Sequence, residues 1–228
     1  MNLAKLLHAF RAYRAGAPLG DVAMLKLDAF AAVPAEVTAK LEGMCGYAPE
    51  QDVAALRALP AGSLGREYAR FLDANGITPL AVSPAMRARF RDAPYALRYT
   101  ATHDLHHVLA GFDTGLAGEA GVLAFNVGQG AAPVRPAMLG FVRVLYTLVS
   151  PTQAGAVANN LRVGRAMGEK AGLVIAAPLE SWFDEPLAEV RAKLGIPPQP
   201  REAGVMASKG SVVTRLLMPR ASVLRRGG

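Results

Sequence analysis

The sequence predicts an all-α fold built as a single helical domain. Three observations point to it. Apolar residues recur at helical spacing along nearly the whole chain, alternating β-branched runs are almost absent, and Gly, Pro and Ser fall where helices begin and end. The length of 228 residues suits one sizeable domain, or at most two.

The elements follow in order. In "MNLAKLLHAFRAYRAG", Leu3, Leu6, Leu7, Phe10 and Tyr13 recur at helical spacing, with Lys5, Arg11 and Arg14 between them. A continuous apolar region is missing, so this is an amphipathic helix and not a secretory signal. It either packs on the core or anchors the protein to a surface. Helical patterns then cover residues 21–32, 35–45, 49–59, 64–75, 83–91, 93–110, 115–128, 136–149, 152–171 and 185–194. "SPAM" sets Ser83 as an N-cap with Pro84 at the first helical position. "FDEPL" offers Asp184 as another N-cap, and "LGIPP" stops a helix with Gly195, Pro197 and Pro198. The apolar "GLVIAAPLESW" fits a short buried strand, a helix start or an extended crossover.

One break in composition divides the chain. "IPPQPREAG" is a Pro-rich linker, and "SKGSVVTRLLMPRASVLRRGG" beyond it is basic and apolar with no acid. Residues 1–196 are therefore read as the helical domain, and 197–228 as linker and tail. Such a tail cannot form a core alone. It is disordered, packed on the domain, or laid on an anionic lipid surface.

Composition narrows the function. Hydrophobic residues make up 52% and charged residues only 19%, and mean hydropathy is +0.22. That balance fits a large internal cavity, an apolar ligand or a resting place on a membrane; an Ala-rich core alone gives the same index. No stretch reaches the ~18 uninterrupted apolar residues of a membrane span. The nearest, "AMLGFVRVLYTLV", is too short and carries Arg143. A net charge of +7 suits nucleic acid, an anionic membrane surface or an acidic ligand. Zinc fingers, RNA-binding aromatic pairs and a helix-turn-helix are all missing, so nucleic acid is set aside and the membrane surface is the better partner. The one cysteine, Cys45, rules out an internal disulfide framework and fits a reducing compartment. It reads as a small core residue.

The chemistry concentrates in "THDLHHVLAGFDTGLAGE", residues 102–119, with three of the four histidines. His103 and His107 lie about 40° apart on a helix face, so their imidazoles converge. Asp104 lies about 60° beyond His107, and His106 falls on the other side and is set aside. Gly111 ends the helix. "GFDTG" makes a short turn, with Asp113 and Thr114 as candidate N-caps for the next helix. Glu119 is about five residues into that second helix. The histidine pair is about as far from the end of the first, roughly 7.5 Å along each axis. Gly118 beside it permits close helix approach. Two imidazoles and one or two carboxylates with an open position form a catalytic rather than a structural metal site. Such ligands suit zinc, and also iron, manganese or cobalt. Asp104 either ligates the metal or acts as the base beside it.

These residues carry a resemblance. "HDLHHVLAGFDTGLAGE" resembles the H-D-x-x-H, eleven residues, E signature of the coenzyme Q (ubiquinone) biosynthesis protein four family. "GREYARFL" (65–72) and "LRYTATHD" (97–104) are similar to family segments, as is "PLAEVRAKLGI" (186–196), and Glu180 and Arg191 stand in familiar places. Two positions depart: Phe183 stands where tryptophan is frequent, and Thr100 where a basic residue is. The resemblance implies an all-helical fold with an apolar, isoprenoid-accommodating cavity. It implies His103, Asp104, His107 and Glu119 as ligands of a divalent metal, with zinc expected. Arg98 and Tyr99 match and are implied in substrate binding; Tyr99 either supports a ligand or packs in the core. The implied activity is removal of the ring carboxylate from a polyprenylated hydroxybenzoate-type precursor and its replacement by hydroxyl. The alternative is a non-catalytic isoprenoid-binding scaffold for the other ubiquinone biosynthesis proteins. With no transit peptide evident, a bacterial member is expected, homo-oligomeric, cytoplasmic and peripheral on the inner face of the plasma membrane.

Overall fold

The computed structural model describes residues 2–30, 33–132 and 134–208. Among these, eleven α-helices and four short 3-10 turns form, and no strand; a single isolated antiparallel bridge joins Ser63 and Pro186. The all-α expectation holds.

Helix α1 (Leu3–Arg14) starts at Asn2, whose side chain accepts the Lys5 amide. It lies on α2 (Leu19–Phe30), tied by Lys5 to Asp28 at 2.8 Å. Of its residues only Ala9 is buried, while Leu3, Leu7, Phe10 and Tyr13 stay exposed. Next come α3 (Ala35–Lys40) and a 3-10 turn, Glu42–Met44. Cys45 follows that turn and is exposed. The core position expected for it is thus corrected: "GMCG" is a surface turn that Gly46 closes at φ +70°.

Asp52 caps α4 (Val53–Ala58), and Ser63 caps α5 (Leu64–Asn75). Ser83 caps α6 (Pro84–Arg89), with Pro84 first, as the sequence predicts. Then come α7 (Pro94–Ala110), α8 (Leu116–Gly128), α9 (Met138–Val149) and α10 (Ala154–Lys170). "GLVIAAPLESW" forms neither strand nor helix. It is an extended crossover with two 3-10 turns, Val174–Ala176 and Leu179–Trp182. Helix α11 (Leu187–Lys193) begins later than expected, and Pro186, not Asp184, holds its N-cap position. Residues 183–187 are instead engaged by 62–65: the Leu64 and Gly65 amides donate to the carbonyls of Glu185 and Phe183, and the Leu187 amide donates to Gly62. Gly195, at φ +67°, closes the last turn.

Helix α7 stands at the centre. Its Leu105 and Leu109 join Leu64, Leu72, Phe125 and Leu179 in one apolar cluster. Its Leu97 and Tyr99 join Met24, Leu41 and Ile175 in a second. Helices α8 and α10 meet backbone to backbone: a Cβ on Gly164 would overlap the Gly121 carbonyl, and one on Gly168 the Phe125 carbonyl. Helix α9 is the opposite case. Only Leu139 is buried, and Phe141, Val144 and Leu148 point outward, Leu148 with 74% exposure.

The linker does not leave the domain. Pro200 sits against Gly111, and residues 204–208 run across α10 and the start of α8. Residues 209–228, the remainder of the basic tail, lie outside the described residues.

Candidate metal centre

Helices α7 and α8 form an antiparallel hairpin. Near its base Tyr95 donates to the Ala131 carbonyl at 2.7 Å; near its tip His107 faces Glu119. Gly111 ends α7 in the left-handed region, at φ +73°. Helix α8 then begins at Leu116 after Gly115, and neither Asp113 nor Thr114 caps it. Asp113 Oδ1 instead accepts the Gly115 amide at 2.9 Å, and Thr114 Oγ1 donates to Asn75 Oδ1 at 2.7 Å. The capping hydroxyl comes from Ser208, whose Oγ accepts the Gly118 amide at 3.1 Å. Gly118 has no room for a side chain because the Asp113 carbonyl fills that space. It serves the turn, rather than the approach of α8 to α7.

The hairpin brings His103, His107 and Glu119 together, one ligand atom of each lying within 4.8 Å of the others. Glu119 Oε2 is 3.8 Å from His103 Nε2, and Oε1 is 3.4 Å from His107 Nε2. The rear nitrogens are engaged. His107 Nδ1 lies 3.0 Å from the Asp113 carbonyl and 3.3 Å from that of Phe112. Carbonyls only accept, so Nδ1 carries a proton and donates to them, and Nε2 is the nitrogen turned to Glu119. His107 is 1% exposed, and its Nε2 faces Glu119 Oε1. A buried imidazole nitrogen facing a carboxylate is a place for a positive charge, supplied by a proton or by a metal ion. The spacing fits a divalent ion: ligands about 2.0–2.1 Å from tetrahedral zinc stand about 3.3 Å apart.

Asp104 lies behind His103, with Oδ1 3.3 Å from Nδ1. It is outside the trio of converging atoms, in the position of a carboxylate that orients a ligating imidazole. Burial disfavours the charged forms of His103 and Glu119. For His103 the Asp104 hydrogen bond and the Glu119 charge outweigh it and raise the pKa. For Glu119 the two imidazoles outweigh it and lower the pKa.

His106 stays apart, as its angle on the helix predicts. It is buried against Phe125 and Tyr99, with Nδ1 3.3 Å from Asn126 Nδ2. Burial, with His103, His107 and Arg98 adding to it, pushes its pKa well down.

The two residues implied in substrate binding diverge. Arg98 is fully buried and bound to the chain beyond α10: Nε donates to Ile175 O at 3.0 Å, one terminal nitrogen to Ala177 O at 2.8 Å, the other to Glu180 at 2.7 Å. Its recorded partners hold it among structural groups rather than beside His103. Tyr99 is beside the cluster, its ring centroid 6.5 Å from that of His103. Both line an apolar pocket of about 400 Å³ with Leu27, Phe30, Leu80 and Val134. Lys26 and Thr100 also line it. Nothing in the sequence singles out Lys26, a lone lysine on α2 far upstream of the histidines.

Comparison with known proteins follows the same residues. The family model for coenzyme Q (ubiquinone) biosynthesis protein Coq4 matches residues 48–200. Mitochondrial ubiquinone biosynthesis protein COQ4 homologues are similar to this chain. The Rattus norvegicus protein is 34% identical over 157 residues, 66% of this chain and 56% of its own. The Homo sapiens protein is 34% identical over 156 residues, covering 65% and 56%. The chain thus spans a little over half the length of these relatives. A crystal structure from Nostoc punctiforme, of a protein assigned to ubiquinone biosynthesis, superposes with a TM-score of 0.57 at 25% identity, covering 85% of this chain and 95% of that one. The matched span holds α4 to α11 with His103, His107 and Glu119, and on it the chain belongs to the coenzyme Q (ubiquinone) biosynthesis protein Coq4 family.

Proposed function

We propose that this chain acts in ubiquinone biosynthesis as a metal-dependent enzyme that removes the ring carboxylate of a polyprenylated hydroxybenzoate-type precursor at a membrane surface. One observation carries the reading: His103, His107 and the Glu119 carboxylate converge, with the buried Nε2 of His107 facing Glu119, beside an apolar pocket that His103 lines. His103, His107 and Glu119 would hold a divalent metal, zinc first, with iron, manganese or cobalt admitted by the same ligands. When bound, the metal supplies an open position that polarises the ring oxygens and stabilises negative charge developing on them.

The other residues have roles of their own. The Asp113 carbonyl fixes the His107 tautomer. Asp104 orients His103 through Nδ1, which favours a place beside the metal over ligation. Leu27, Phe30, Leu80 and Tyr99 exclude water and give the substrate's apolar part a surface. Lys26 is the pocket's cation and meets the substrate carboxylate, a role that Thr100 cannot fill. No helix among the described residues is long and apolar enough to cross a membrane. The outward apolar stripes of α1 and α9, on a chain of net charge +7, suit contact with an anionic lipid surface.

The purified protein, incubated with a prenylated hydroxybenzoate and dioxygen, should release carbon dioxide. His103→Ala and Glu119→Ala should abolish release without loss of helical content. A wild-type protein that binds the lipid and never turns it over is a scaffold, and the enzymatic reading falls. Less than about a tenth of an equivalent of any transition metal after reconstitution removes the metal itself.

A further inference from the structure

Ser208 lies outside the family match, and nothing in the motif points to it. Its hydroxyl nonetheless enters the turn between α7 and α8. Oγ donates to Asp113 Oδ1 at 2.6 Å and accepts the Gly118 amide at 3.1 Å. The Ser208 amide donates to Asp113 Oδ2 at 2.6 Å. Both carboxylate oxygens of Asp113 are thereby held from one residue, while Oδ1 also takes the Gly115 amide. Asp113's own carbonyl is the group that accepts His107 Nδ1–H.

Helix α8 needs this help. Its N-cap is Gly115, which has no side-chain oxygen, so the amide of its third residue, Gly118, has no local acceptor. Ser208 supplies one from 90 positions away in sequence. The fit is close, since a Cβ on Gly115 would overlap the Ser208 side chain. The approach is anchored by Asn160, which bonds both the amide and the carbonyl of Met206 at 2.9 and 2.8 Å.

We propose that Ser208 is a positioning residue for the metal centre. It caps α8 one residue before Glu119, and through Asp113 it fixes the carbonyl that sets the ring and tautomer of His107. Two of the three converging groups thus take their placement from a segment beyond the family match. The inference rests on the metal reading above, and the test separates the two.

Zinc affinity of the full chain is measured by chelator competition for wild type, Ser208→Ala, Asp113→Asn and the double variant, with thermal unfolding alongside. Ser208→Ala is expected to weaken zinc about tenfold, within the range of residues that hold metal ligands in place. Part of the loss should vanish in the Asp113→Asn background, because the Asp113 contact is shared while the Gly118 cap is not. Lowered Tm with wild-type zinc affinity overturns the inference and leaves Ser208 a plain helix cap. If wild type itself binds no zinc, the metal reading falls, and the His107 ring nitrogens decide the inference by 15N NMR. An unchanged Nδ1–H tautomer and ring-proton exchange in Ser208→Ala overturn it; faster exchange or mixed tautomers support it.

Discussion

Arg98 and His103 are five residues apart on one helix, and burial treats them in opposite ways. Arg98 is fully enclosed, yet it meets Glu180 and the carbonyls of Ile175 and Ala177. His103 is 30% exposed, and it and the buried Nε2 of its neighbour His107 face the Glu119 carboxylate. The first face of α7 spends its polarity on holding the 174–180 crossover to the domain. The second keeps polar atoms facing an open space. The two stretches of α7 thus divide by what their polar atoms face, Arg98 the 174–180 crossover and the histidines a carboxylate beside a pocket.

Glu119→Gln tests that division most severely. It removes the one carboxylate facing both imidazoles, so zinc affinity should fall more than about 100-fold, beyond the loss typical for groups behind a ligand. Metal-free Tm should move by only a few degrees, about 1 kcal/mol for a chain of this size. A collapse of the fold would mean that the cluster is scaffold too.

Arg98→Met should do the reverse. It strands Glu180 in the interior, at a cost of roughly 3–5 kcal/mol. Calorimetry should show a Tm lower by about 6–20 °C. Zinc affinity of the folded fraction should hold, and its loss would merge the two faces. Arg191→Lys is a smaller case. Arg191 donates to the last carbonyls of α7, Val108 at 2.9 Å and Leu109 at 2.9 Å, and to Pro198 at 2.8 Å. Lysine cannot span all three, so about 1–2 kcal/mol should be lost in urea unfolding. His106→Leu is the smallest. Its one contact with Asn126 suggests about 0.5–1.5 kcal/mol, with zinc affinity unchanged. A weakened zinc site would move His106 across the division.

Periodicity made most of the helices legible, because their apolar faces and caps are local. Ser83–Pro84 and Gly195 act where the sequence puts them. The convergence of His103, His107 and Glu119 was legible for the same reason: one helix angle and one short turn determine it. What could not be read depends on distant chain. Arg98 looks like a site residue until Glu180, 82 positions later, is placed against it. Asp113 and Thr114 look like caps until Asn75 and Ser208 claim their side chains. Cys45 looks like core because small thiols usually are, but the surface turn that Gly46 closes leaves it outside.

The Ser208 contact also has an order in time. A chain emerging from the ribosome finishes α7, the turn and α8 long before residue 208 exists, and domains begin to fold as they are made. Until then the Gly118 amide has no hydroxyl to meet. The last step in shaping the tip of the hairpin therefore waits for Ser208, 90 positions after the amide that it caps.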